Sequence, residues 1–531
     1  MIMANKIPIG ISDFAEIREG GYVYIDKTEQ VYDMANHNYN VLLLRPHGFG
    51  KSLLISTLKY YFQGRKELFE GLTIEQLEKK WEKRPVIHID MSDIKCDNVE
   101  DLEANIVGKL RKYEELYGLK DVLDRKYLSM RPFIDKIAET TGVKPVILID
   151  DYDKPALNHA ADEEKCHEIL HWIEGFCNSI KGTKFKFMLI TGTTRFPESP
   201  LISGLNLYIA TESPEYASIC GITEEEMLRY LDERVQNMAD ANAWTKEKCV
   251  DELKRNYGGY RFSYKSPEIF NPKSLLQALE SSKLGAYWTA KIPSYITELI
   301  NKYGITYENI RTHHSSNRLW FYNNQSLYSL KDIQSFLSLE GYLTIKDCER
   351  EDYNFRKIYT IGIPNDEVRD TIFNIALPYV VGYDKNYVQS TIGRMQDALM
   401  ADDIPELFEN LKQLVSDTPE ITIFGDKNKL YESNFRFILR CALYLCGCRI
   451  DEKEQTSKDS IGIVAAHYKD IIILIEPKLD NNGGLEAAKQ QLIDNNYAAA
   501  FSAENKKIYN VAISFNTESR SISGYEIINN S

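Results

Sequence analysis

The sequence predicts an α/β protein: a parallel sheet flanked by helices at the amino end, a mainly helical middle, and a separate α/β unit at the carboxyl end. Between about 40 and 195, short apolar runs alternate with longer amphipathic stretches, the rhythm of strands joined by helical crossovers. From about 220 to 420 the apolar spacing turns mainly helical, and after about 425 strand-like runs return. The chain has 531 residues, too many for one hydrophobic core, so size alone calls for two to four domains.

The first strands are expected at 41–44, 85–90, 145–150 and 186–191. Each is rich in Val, Ile, Leu or Phe and runs into a polar turn, as strands buried on both faces do. Ligands of such sheets gather at the carboxyl ends of the strands. Helices are expected at 224–237, 332–339, 366–377 and 403–414, with short β pieces at 342–345 and 357–360. The last part reads as a helix at 432–445, strands at 461–465 and 471–476, a helix from Leu485, and strands near 509–515 and 524–528. The boundaries that follow are 1–280, 281–420 and 421–531.

Hydrophobic residues make up 43% and charged residues 27%, the balance of a globular rather than a disordered or fibrous chain. With 64 basic and 78 acidic residues the net charge is −14, which argues against a whole-protein grip on nucleic acid but leaves a local basic groove open. The nine cysteines are scattered and odd in number, as in a reducing cytoplasm. The opening residues lack a signal-peptide apolar stretch, and no apolar run approaches the roughly 20 residues that span a bilayer. A cytoplasmic location without a membrane partner is the expectation.

The segment from Val41 through Arg45, Pro46, His47, Gly48, Phe49, Gly50, Lys51, Ser52 and Leu53 is a strand, a glycine-containing turn and a helix start. Backbone amides at such a turn favour anions, Lys51 reaches terminal phosphates and the Ser52 hydroxyl coordinates magnesium. The common GxxxxGKS/T pattern has glycine where this chain has Arg45, and taken alone the turn is also compatible with a purely structural loop. The second half of the pattern is the apolar strand that ends in Asp150-Asp151-Tyr152-Asp153. A carboxylate at a strand end holds Mg²⁺ and the next acid polarises water, roles that Asp150 and Asp151 fit. Thr191 and Arg195, at the end of a further strand, are candidates for sensing the γ-phosphate and contacting it within one subunit or across a homo-oligomer. Ordinary turn chemistry is the alternative there. ATP and Mg²⁺ are the expected cofactors.

These residues resemble the bacterial AAA-ATPase-like family whose members usually carry a carboxy-terminal PD-(D/E)xK nuclease-like domain. The similar stretches are Ile7-Pro-Ile-Gly10-Ile-Ser-Asp-Phe14, Tyr22-Val-Tyr-Ile-Asp26-Lys27-Thr28, the turn from Arg45 to Ser52, Leu148-Ile-Asp150-Asp-Tyr-Asp153-Lys-Pro155, Thr191-Gly192, and Tyr257-Gly-Gly-Tyr260-Arg-Phe262 with Phe270-Asn271-Pro272. The resemblance accounts for Arg45 and implies an ATPase core with a helical lid and a carboxy-terminal restriction-endonuclease-like domain, while the mainly helical middle region reads as a small helical or winged-helix-like linker module. The family usually has Glu where this chain has Asp151, which points toward slow hydrolysis.

At the carboxyl end, Glu476-Pro477-Lys478 supplies the acid and lysine of a nuclease strand, Glu432 lies upstream, and Gln491 with Tyr497 resembles the downstream helix motif. The first metal ligand's position is taken by Gly462, so the nuclease-like fold is expected to be degenerate. Cys441, Cys446 and Cys448 read as core cysteines, and His313-His314 as a polar loop. Two functions stay open: an ATPase coupled to a nuclease-like domain that acts on or recognises DNA, and a nucleotide-gated switch with an inactive nuclease-like interaction domain.

Overall fold

The structure is a computed structural model that describes residues 6–37, 39–119, 122–123, 128–160, 162–194, 205–290, 296–297, 311–316, 333–350, 357–416, 427–450, 463–504 and 506–528. The chain forms two compact units, Met1–Leu299 with Arg311–Val368 and Ile300–Ile310 with Arg369–Ser531.

Unit 1 is built on five strands: β1 (Asn40–Leu44), β2 (Val86–Asp90), β3 (Val146–Asp150), β4 (Phe187–Gly192) and β5 (Leu207–Ile209). They pair in the order β2-β3-β4-β1-β5, and every pair is parallel. β3 and β4 are buried along their whole length, which is why they read as unbroken apolar runs. The helices Lys51–Phe62, Val99–Leu116, Met130–Thr141 and Glu163–Asn178 fill the crossovers. Because β4 lies between β1 and β3, the chain segments leaving these three strands emerge side by side.

Beyond this sheet, β6 (Ile222–Thr223) and β7 (Ile269–Phe270) form a short antiparallel pair among helices Glu224–Tyr230, Asp232–Ala241, Lys246–Tyr257 and Pro272–Ser281. Val235, Met238, Leu253, Tyr257, Leu275 and Leu279 are the apolar seam these helices share. The single helix expected over 224–237 is two helices, separated at Leu231, where the backbone turns to φ −126°. Thr223 and Glu226 close a capping box at the first, so its start was encoded locally while its end was not. The middle region is less helical than expected: β8 (Arg311–Ser316), β9 (Thr344–Arg350) and β10 (Lys357–Gly362) form an antiparallel sheet in the order β8-β10-β9. His313 and His314 lie on β8, not in a loop, because six residues of that segment pair with β10.

Unit 2 carries helices Lys385–Met400, Ile404–Leu414 and Lys427–Leu445 and a second sheet: β11 (Arg449–Ile450), β12 (Val464–Tyr468), β13 (Ile471–Leu479), β14 (Lys507–Asn516) and β15 (Ser521–Ile528), in that order. Only β13 and β14 run parallel, and helix Gly484–Asn495 is their crossover. Cys441, Cys446 and Cys448 are buried free thiols, in keeping with a core role. Among the described residues, no helix is long and apolar enough to cross a membrane.

Candidate functional site

The apolar run Val41–Leu44 fixes β1, and the Arg45 amide donates to the Gly192 carbonyl at 3.0 Å, extending the β1–β4 ladder into the turn. The Arg45 guanidinium is buried, and a desolvated guanidinium needs acceptors for its donors. It finds them in the carbonyls of Leu44 (2.7 Å), Thr211 (3.1 Å), Tyr216 (3.0 Å) and Ala217 (3.4 Å), with the Phe262 ring 4.1 Å away. Arg45, expected among the nucleotide-contacting residues, therefore spends its side chain on fastening the turn to the segment after β5.

Gly50 caps helix Lys51–Phe62 with φ +97°, a left-handed conformation that a side chain would strain. Gly48 and Gly50 are exposed, whereas Pro46 and Phe49 are buried. Phe49 packs edge-on against Tyr260 (4.9 Å) and Phe262 (5.4 Å), which gives the Tyr257–Phe262 motif its purpose. Among the described residues, no protein acceptor takes the backbone amides of Gly48, Phe49, Gly50, Lys51 or Ser52, so the helix start is open to an anion. Lys51 lies buried over the turn, 3.0 Å from the Arg45 carbonyl and 3.1 Å from the Asp151 carboxylate. Burial alone would lower its pKa, but the Asp151, Asp153 and Asp150 carboxylates outweigh it and keep the ammonium charged.

β3 delivers Asp150 to the same place. The Ser52 side chain lies near enough to favour its ionised carboxylate, and Thr191, at the end of β4, donates to it at 2.5 Å. Burial first, then the neighbouring Asp151 charge, push Asp150 up to about 6. Thr191 thus holds Asp150, and its hydroxyl also faces the Asp151 amide at 3.4 Å. Asp151 sits at φ +47° with its carboxylate on Lys51. Arg195 lies outside the described residues.

One functional group escaped the sequence reading. Asp153, buried, takes the amides of Thr193 (2.8 Å) and Thr194 (2.5 Å) and the Thr194 hydroxyl (2.7 Å), so it ties the segment after β4 to the acidic tip of β3. The signal was the third acid in Asp150-Asp151-Tyr152-Asp153, but spacing gave it no role. His47 is half-buried; burial and the Lys51, Lys273 and Lys154 cations hold its imidazole down to about 3, hence neutral. Beside the turn, Phe49, Gly50, Leu53, Val23, Ile25 and Ile222 line a mainly apolar cavity of about 100 Å³.

In unit 2, Glu476 on β13 is fully buried, and among the described residues neither carboxylate oxygen has a hydrogen-bond partner. Lys478, two residues along and on the same face, is 3.5 Å away, while Glu432 and Arg436 pair at 3.0 Å on helix Lys427–Leu445. Burial pushes Glu476 up to about 6, against the pull of Arg436 and Lys478. The cationic charge here comes from side chains, and among the described residues no group of three metal-ligating side chains assembles. Gln491 and Tyr497 meet each other at 3.4 Å. Gly462 lies outside the described residues.

A five-stranded parallel sheet with a lysine-bearing turn facing a buried strand-end carboxylate makes this an α/β protein consistent with a P-loop ATPase-like core. Residues 8–202 match the AAA-ATPase-like family model, described as a predicted AAA-ATPase. A protein of Azotobacter chroococcum mcd 1, described as an uncharacterized protein in the vnfD 5' region, is 25% identical over 533 aligned positions, covering 98% of this chain and 99% of its own. The solved Aeropyrum pernix ORC2 protein in ADPNP–ADP complexes covers 67% of this chain and 96% of its own at 10% identity and a TM-score of 0.25, too distant a likeness to carry an argument.

Proposed function

We propose that unit 1 binds ATP with Mg²⁺ and hydrolyses it slowly. The observation that carries this is the convergence of Ser52, Asp150 and Lys51 on one open turn: a hydroxyl near a buried carboxylate, beside a buried ammonium paired with Asp151 at 3.1 Å. Ser52 and Asp150 are the oxygen donors that fit Mg²⁺, a hard cation that takes few protein ligands and keeps several waters. Bound Mg²⁺–ATP would supply the electrophilic phosphorus and neutralise phosphate charge. The protein's part is electrostatic: the amides from Gly48 to Ser52 receive anionic oxygens, Lys51 adds a fixed cation, and Thr191 holds Asp150 in place. Asp151 is the acid for orienting an attacking water.

Lys51→Ala removes the cation while sparing the fold's sheet, and ATP affinity measured by calorimetry is expected to drop below detection. Unchanged affinity in that variant would remove the assignment. A second reading, a nucleotide-gated switch, is favoured by the ion pair that engages Asp151 with Lys51 and by the short carboxylate at 151. We further propose the three-part division at 280 and 420 and a cytoplasmic setting, with the carboxyl-terminal part a degenerate nuclease-like interaction domain that recognises DNA. ATP turnover with and without DNA separates the engine from the switch.

A further inference from the structure

We infer that Trp288 is a positioning residue for the phosphate loop, fixing the Gly48 amide in the orientation a bound polyphosphate needs; the inference rests on the nucleotide reading above. Trp288 is 1% exposed, and its indole Nε1–H donates to the His47 carbonyl at 2.7 Å. The ring also lies along the neutral His47 imidazole, centroids 4.9 Å apart and planes at 26°. In a planar trans peptide the carbonyl and the following N–H point in opposite directions. Fastening the His47 carbonyl to the indole therefore turns the Gly48 N–H away from Trp288. Gly48 completes the geometry at φ +79°, and a Cβ there would stand 3.0 Å from the indole Cδ1, so a side chain would strain the backbone and press on the indole.

The indole is itself fixed from behind. The Trp288 amide donates to Glu367 Oε1 at 2.7 Å and to Ser274 Oγ at 3.1 Å. Glu367, buried, also takes the amides of Tyr287 (2.6 Å) and Thr289 (3.3 Å) and the Ser274 hydroxyl (2.7 Å). A buried carboxylate satisfied by three consecutive amides holds its segment in one conformation, and Tyr342 packs on the indole at 5.3 Å. An anion site whose donors are aimed before binding loses less to reorganisation.

The test measures dissociation constants for Mg²⁺–ATP, pyrophosphate and adenosine on the full chain, comparing wild type, Lys51→Ala, Trp288→Phe and Glu367→Gln. Phenylalanine keeps a stacking ring and drops the N–H. Trp288→Phe is expected to weaken ATP and pyrophosphate together by roughly 3- to 10-fold, the net worth of one hydrogen bond, and to leave adenosine within about twofold. Equal weakening of all three ligands marks a merely structural role and overturns the inference. So does unchanged ATP and pyrophosphate affinity in Trp288→Phe when Lys51→Ala has lost both, and in that case the nucleotide reading survives. If wild type binds neither phosphate ligand, the nucleotide reading fails and takes the inference with it. Should Trp288→Phe not fold, Glu367→Gln acts on the loop through Trp288 and is expected to show the same pattern at about twofold; no change there overturns the inference.

Discussion

His47 shows how much a single side chain in the turn depends on its surroundings. Its imidazole is held down to about 3, well below its usual value near 6.5, by burial first and then by the Lys51, Lys273 and Lys154 cations, against the pull of Asp151. A cation-forming group whose folded pKa is depressed binds protons more readily when unfolded, so its contribution is intact above about pH 6.5 and is lost as pH falls toward 3. Wild type is therefore expected to lose about 1 kcal/mol relative to His47→Gln between pH 7 and 5, after discounting for partial exposure, with urea midpoints as the measurement. A parallel pH dependence in the two proteins would show that His47 titrates normally. Asp153 is an acid in a similar position: burial raises its pKa, and three donors from Thr193 and Thr194 offset only part of that cost.

At the scale of elements, the turn and the first helix are held from two sides. Arg45 fastens the start of the turn to the carbonyls after β5, and Phe49 plugs its middle into Tyr260 and Phe262. Phe49→Ala is expected to cost about 3 kcal/mol in chemical denaturation, from lost burial plus the cavity left behind, and Phe49→Leu under half of that. If both variants cost less than about 0.5 kcal/mol, the turn's geometry does not depend on that contact. The opening motifs turn out to be structural in the same way. Asp26 takes both donors of Thr28 and of Thr73, and Lys27 pairs with Glu226 at 2.5 Å.

On the scale of the whole molecule, the two compact units have separate sheets, and only unit 1 carries the lysine-bearing turn. Scanning calorimetry is expected to resolve more than one transition, with Mg²⁺–ATP raising the one that belongs to unit 1. At 100 times the dissociation constant the stabilisation is about 2.7 kcal/mol. A single transition that moves as a whole would mean that the units unfold together.

The sequence by itself determined the alternation of strand and helix, the glycine turn with Lys51 and Ser52, and the acidic end of β3, because these rest on local periodicity and on residue types that neighbours in the chain dictate. Tertiary structure decided the rest. The strand order that sets β4 between β1 and β3, the Thr191 hydroxyl on Asp150, and the Asp153 clamp all pair residues 40 or more positions apart, beyond any local pattern. The same holds for Trp288, which meets His47 across 241 residues, and for Arg45, whose guanidinium turned inward because carbonyls 166 and more residues away stood ready to receive it. Composition and spacing name the groups that can carry charge; only folding settles which of them spend that charge on the protein itself and which keep it for a ligand.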